Sequence, residues 1–222
     1  MALTERETRV GAVLRIAADE ISARTMSGET ARDDLRAEVT PGRTYAAELA
    51  EAALKAAAQT HEERKIPFIG HLIAAIAFER DLSAAHANQL IATADTLTYR
   101  QLVVLAVLAT RQEGDALRYR GPLHEQEDPT ESEQFSVYAD TLDLFRRGLL
   151  KTYRHLLGTP ETRLGGDRDR QSWPAVPREM SPRDTRASST GERLARMMRL
   201  DLTPEEDRET LVMSHIGQPA RD

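Results

Sequence analysis

The 222 residues carry a net charge of −6 and contain no cysteine, which excludes disulfides and thiolate metal sites. Some 40% of residues are apolar but only 5% are aromatic, so a core must be built from Ala, Leu, Ile and Val, a composition that favours helices over sheets. The charge is uneven: residues 145–200 hold 13 Arg and Lys against 6 Asp and Glu, whereas the remainder holds 17 against 30. That asymmetry points either to a basic interaction surface or to a basic part folded on an acidic part.

A helix is expected from Thr4 to Arg24. Thr4-Glu5-Arg6-Glu7 reads as a capping box, and Val10, Val13, Leu14, Ala17 and Ile21 recur at helical spacing. The opening MALTERETRVGAV lacks the basic and apolar regions of a secretory signal, so a cytoplasmic location is expected. Residues 25–43, with Gly28, Pro41 and Gly42, read as a linker holding one turn around Asp33–Leu35.

A helical core follows over 44–112. An alanine-rich helix is expected from Tyr45 to Arg64, with a break at Pro67, which then opens a helix running to Phe78. The stretch IPFIGHLIAAIAF is shorter than the roughly 20 residues a bilayer needs and reads as the buried centre of a bundle. Ser83 caps a helix over 84–95 with Ala87, Leu90, Ile91 and Ala94 inward. Thr98 and Gln101 form a second capping box for a helix from Tyr99 to Arg111. Short turns between the last three predict a compact antiparallel core.

Residues 113–130 read as an exposed acidic connector. A helical region is expected over 131–216. Its first helix, Glu131 to Arg147, presents Phe135, Tyr138, Leu142 and Phe145 on one side and stops at Gly148. LLKTYRHLLG continues as a strand or short helix, and the Pro- and Gly-containing stretch 159–188 reads as a mobile loop. A helix is expected from Ser189, with Glu192 as capping partner and Leu194, Met197, Met198 and Leu200 inward. Thr203-Pro204-Glu205-Glu206 predicts a last helix, and residues 217–222 read as a fraying tail.

Chemistry-bearing motifs are absent. No two of His61, His71, His86, His124, His155 and His215 stand at i, i+4 spacing. His71 reads as a hydrogen-bonded histidine at a core edge. His124 with Glu125, Glu127 and Asp128 has the residue types of a divalent-ion site but reads better as solvated loop charge. Gly165-Gly166 lacks the context of a phosphate loop, and no GxSxG nucleophile elbow occurs. The carboxylate pair Asp33-Asp34 sits in the linker, and Glu205-Glu206 opposes a helix dipole. The reading is a protein without catalytic, metal or cofactor residues.

Gly148-Leu149-Leu150, followed later by Gly191 and Leu194, resembles the winged-helix arrangement, in which a helix ends in a GL(L/I) step, a charged hairpin follows, and LTxxGxxL opens the next helix. Ala187-Ser188 stands where that pattern has Leu-Thr. The block from Lys65 to Leu102 resembles bacterial helical proteins similar to the Abi-alpha abortive-infection family, which implies a bacterial defence or stress setting and brings no catalytic residues. Together these predict a mainly α fold: a helical bundle with a degenerate winged-helix C-terminal half and a wing at 151–188. The wing implies phosphate or partner contacts by Arg146, Arg147, Lys151, Arg154, Arg168 and Arg170. The expected function is a non-enzymatic interaction or regulatory protein working through a protein partner or self-association. Nucleic-acid binding is the alternative, and a membrane role through 66–78 ranks below both.

Overall fold

The computed structural model describes residues 4–110, 116–117, 131–152 and 185–213. The chain is mainly helical, as expected. Its helices are α1 (Glu5–Met26), α2 (Tyr45–Gln59), α3 (Ile66–Phe78), α4 (Ala84–Thr96), α5 (Tyr99–Thr110), α6 (Glu131–Arg146), α7 (Ser189–Met197) and α8 (Glu205–Glu209). The strands are β1 (Glu38–Thr40), β2 (Arg43–Thr44), β3 (Ala116–Leu117), β4 (Leu150–Thr152), β5 (Thr185–Ala187) and β6 (Val212–Met213), joined as the antiparallel pairs β1–β2, β3–β6 and β4–β5. Most of the expected acidic connector, residues 153–184 of the expected wing and the C-terminal tail lie outside the described residues.

Local chemistry explains most helix starts. Thr4 and Glu7 complete the α1 capping box, Ser83 caps α4 by accepting from the His86 N–H, and Thr98 and Gln101 bond reciprocally at 3.0 and 3.2 Å. Two starts differ from expectation by one residue. Ser188, rather than Ser189, caps α7. Thr203 turns its hydroxyl back to the Leu200 carbonyl, so α8 follows Pro204 without a side-chain cap.

Helices α1, α2 and α4 surround α3, which is buried on most faces and also touches α7. Helix α5 does not complete an antiparallel core with α3 and α4. It leaves α4 at a bend of 118° and packs instead against α6, α7 and α8, with every residue from Gln101 to Leu108 buried. Hydrophobic burial of both α3 and α5 demands this: two helices apolar nearly all round each need their own set of covering helices. Among the described residues no single helix is long and apolar enough to cross a membrane.

On α1 the buried stripe is narrower than its periodicity predicts. Val13 and Ala17 are buried and Ile16 reaches α3, but Leu14 is 47% exposed. The α1–α3 crossing is close because Gly70 has no side chain; a Cβ there would lie 2.8 Å from Ile16 Cγ2 and 3.2 Å from the Val13 carbonyl oxygen.

The expected linker 25–43 is more ordered than its composition suggests. A 3-10 turn at Asp33–Arg36 buries Leu35, and β1 and β2 pair across Gly42, whose φ of +78° suits glycine. Arg32 anchors the turn. Its backbone N–H donates to the Ala77 carbonyl, its Nη1 donates to the Glu79 carbonyl at 3.1 Å, and its other nitrogens fork onto Asp34. Arg32 therefore serves the end of α3 twice, its backbone N–H on Ala77 and its buried cation on the capping residue Glu79.

The α4–α5 bend is held the same way. Helix α2 ends at Gln59, short of the expected Arg64, and a 3-10 turn at Glu63–Lys65 fits against the corner. Buried Lys65 donates Nζ to the Asp95 carbonyl at the end of α4, while Glu62 accepts the Tyr99 N–H at the start of α5. The positive group meets the negative helix end and the carboxylate meets the positive one. Burial lowers the pKa of the Lys65 ammonium. Tyr99 donates its hydroxyl to Asp207 of α8 at 2.7 Å, and Arg64 bridges the same carboxylate while lying over the Tyr99 ring. Burial, and then the bond to Asp207, push the Tyr99 phenol up to about 12.

Replacing Gly70 by Ala is expected to cost roughly 1–3 kcal/mol through overpacking. Gly11→Ala, on the open side of α1 where an added Cβ meets nothing within 4 Å, is expected to gain about 0.5–1 kcal/mol; urea titrations of both variants check the pair. Spectroscopic titration should show Tyr99 ionising near pH 12, and Asp207→Asn should lower that transition only in part, since burial, the larger cause, remains. Because the native phenol keeps its proton where the unfolded one loses it, this contact stabilises fully below pH 10 and fades as pH rises through 12.

Candidate functional site

The two described ends of the basic segment 145–200 meet where α6 ends, the β4–β5 pair forms and α7 starts. Helix α6 terminates in a Schellman turn: Gly148 takes φ +73°, its N–H donates to Phe145, and the Leu149 N–H reaches back to Leu144. Leu144 and Leu149 are both buried, supplying the apolar contact that accompanies this motif. Along α6, Val137, Tyr138 and Leu144 are buried and Leu142 and Phe145 partly so.

Ser188 stitches the two ends of the unit together. Its hydroxyl donates to the Gly148 carbonyl at 2.7 Å and accepts the Gly191 N–H at 3.1 Å, while its own N–H donates to Leu149. Gly191 then passes over that peptide so closely that a Cβ would lie 2.1 Å from the Leu149 oxygen and 3.2 Å from Leu105 of α5. The GLL step and the later SxxG thus meet in space.

In the hairpin Leu150 pairs with Ala187, Lys151 with Arg186 and Thr152 with Thr185. Leu150, Thr185 and Ala187 are buried, and the two cations stand half-buried directly opposite one another. Arg146 is exposed on the last turn of α6. Arg147 bonds Asp143 at 2.8 Å and Thr96 at 2.6 Å, tying α6 to the end of α4. Arg154, Arg168 and Arg170 lie outside the described residues. So do His124 and its acidic neighbours; among the described residues no group of three His, Asp or Glu could hold a metal ion.

The basic segment is partly neutralised by the rest of the chain. Arg196 bonds Glu79 at 3.0 Å, bringing α7 to the end of α3, and Arg199 pairs with Asp201. The Arg196 hydrogen bond holds the Glu79 carboxyl below its usual range, with the charges of Arg193 and Arg24 adding to the effect. His71 is a bridging residue: its Nδ1 meets the Glu20 carboxylate between α3 and α1, with the two side chains 16% and 17% exposed.

A cleft of about 320 Å³ opens on the α4 side of this junction. Arg147 lines it from α6 and Ser189, Thr190 and Arg193 from α7; His86, Gln89 and Thr93 come from α4. Leu82, Leu90 and Leu149 complete the lining. Of these, only Arg147 stood among the residues expected from sequence. His86, Gln89 and Thr93 follow i, i+3, i+7 spacing on α4, a signal that reads as an ordinary solvated face until α6 and α7 are placed beside it.

Compared with models of known protein families, with curated proteins and with solved structures, the chain matches none.

Gly191→Ala is expected to prevent native packing of α7, because the added methyl meets backbone; loss of a cooperative thermal transition is the readout. Gly148→Ala meets nothing within 4 Å and faces only the left-handed φ, so a loss of roughly 1–2 kcal/mol is expected from the same measurement.

Proposed function

We propose that this chain is a non-enzymatic interaction protein of the cytoplasm that holds an acidic protein partner on the hairpin face beside α6. One observation carries the reading: Arg146 is exposed on the last turn of α6, a few residues before the β4–β5 pair in which Lys151 and Arg186 face each other. Exposed basic side chains at this end of α6, on a chain whose net charge is −6, orient an acidic partner. The apolar helical core followed by the Gly148-Leu149-Leu150 and Gly191 tail supports a kinship with the Abi-alpha abortive-infection family, and so a bacterial defence or stress setting. A second reading, nucleic-acid binding, is favoured by the antiparallel hairpin that follows α6, the position a wing takes beside a recognition helix.

Parallel titrations distinguish the two, with a fluorescent Glu-rich peptide standing in for an acidic protein surface and a mixed-sequence DNA duplex beside it. The peptide is expected to bind and the duplex to show no gel shift at about 50 mM salt. Arg146→Glu combined with Lys151→Glu is expected to weaken the peptide complex at least about tenfold. A duplex shift that disappears by about 200 mM salt supports the nucleic-acid reading instead. Peptide affinity that the charge reversal leaves untouched overturns the proposed face.

A further inference from the structure

We infer that the cleft between α4, α6 and α7 is a binding site for a small organic phosphate monoester with an apolar body. The inference stands apart from the hairpin face and does not depend on it.

The lining defines the sign of the ligand. Two guanidinium groups, Arg147 and Arg193, enter from different helices, and among the described residues no carboxylate lines the cleft. Arg147 already spends Nε on Asp143 and Nη1 on Thr96, which fixes its position at the rim. Half-buried Arg193 acts on Glu79 only through its field and forms no hydrogen bond within the described structure, so its donors remain for a ligand. Arg193 thus offers hydrogen-bond donors to the cleft beside the ion-paired Arg147, and with no carboxylate in the lining this favours an anion.

The arrangement of donors narrows the class. They approach from three sides: Arg147 from the turn that ends α6, Arg193 with the Ser189 and Thr190 hydroxyls from α7, and His86 with Gln89 from α4. A planar carboxylate is satisfied by one forked guanidinium, whereas a tetrahedral dianion accepts from several directions at once. The leucines Leu82, Leu90 and Leu149 give the site an apolar wall, and about 320 Å³ accommodates a phosphate with a single ring or short chain. Polar residues outnumber the three leucines in the lining, which suits a ligand whose charged head is larger in its contacts than its apolar body.

Calorimetric titration of the full chain with phenyl phosphate, inorganic phosphate and benzoate tests the assignment. Phenyl phosphate is expected to bind about tenfold more tightly than either of the others, since only it carries both head and body. Arg193→Gln is expected to weaken it at least about tenfold. Gln89→Glu, an exposed change that puts an acid on the cleft wall, is expected to do the same should the arginine variant fold poorly. The Arg146→Glu, Lys151→Glu pair is expected to leave this affinity unchanged, which separates failure of this site from failure of the hairpin face. No heat with phenyl phosphate up to about 10 mM, equal binding of benzoate, or indifference to both cleft variants would overturn the inference.

Discussion

Gly191 and the Leu149 carbonyl approach more closely than any side chain permits, and the Ser188 hydroxyl bonds to both sides of that contact. Three helices depend on this point. It fixes the exit from α6, the start of α7 and, through Leu105, the distance of both from α5. Since α7 also reaches α3 and places Arg196 on Glu79, the same contact relates the first four helices to the last four. The cleft exists because the end of α6 and the start of α7 are brought side by side next to α4.

Helix ends elsewhere are satisfied from a distance. Arg32 serves the end of α3 from the 25–43 segment, and Lys65 and Glu62 serve the ends of α4 and α5 from another turn. Each group is charged, and each opposes the partial charge of the helix end it meets. Burial makes these contacts obligatory: removal of one partner leaves an uncompensated polar group inside the protein, a cost larger than the bond itself contributes. The sharp α4–α5 bend is consequently a specified corner rather than a loose joint.

The local vocabulary of the fold was readable from the chain. Thr4 with Glu7, Ser83, and Thr98 with Gln101 cap as their spacing predicts, and Gly148 ends its helix in the left-handed conformation. What escaped were decisions made between elements. Nothing near Arg32 or Leu35 signals that a polar segment is anchored by the end of a helix more than 40 residues away. The apolar runs of α3 and α5 read alike, and period alone cannot say which neighbours cover each. The candidate site divides likewise. Arg147 stood out because it lies in a basic stretch, whereas His86, Gln89, Thr93 and Arg193 acquire meaning only when three helices converge.

The β4–β5 pair has a topological consequence. Thr152 and Thr185 are partners in the same ladder, so the chain leaves the body and returns to it within one strand spacing, about 5 Å. Loop-closure entropy grows only logarithmically with length, so the entropic cost of holding this ladder closed depends little on how many residues separate its two strands. The ladder is thus a fixed doorway: it sets where the chain leaves and re-enters the body, and Leu150 and Ala187 hold its frame in the core.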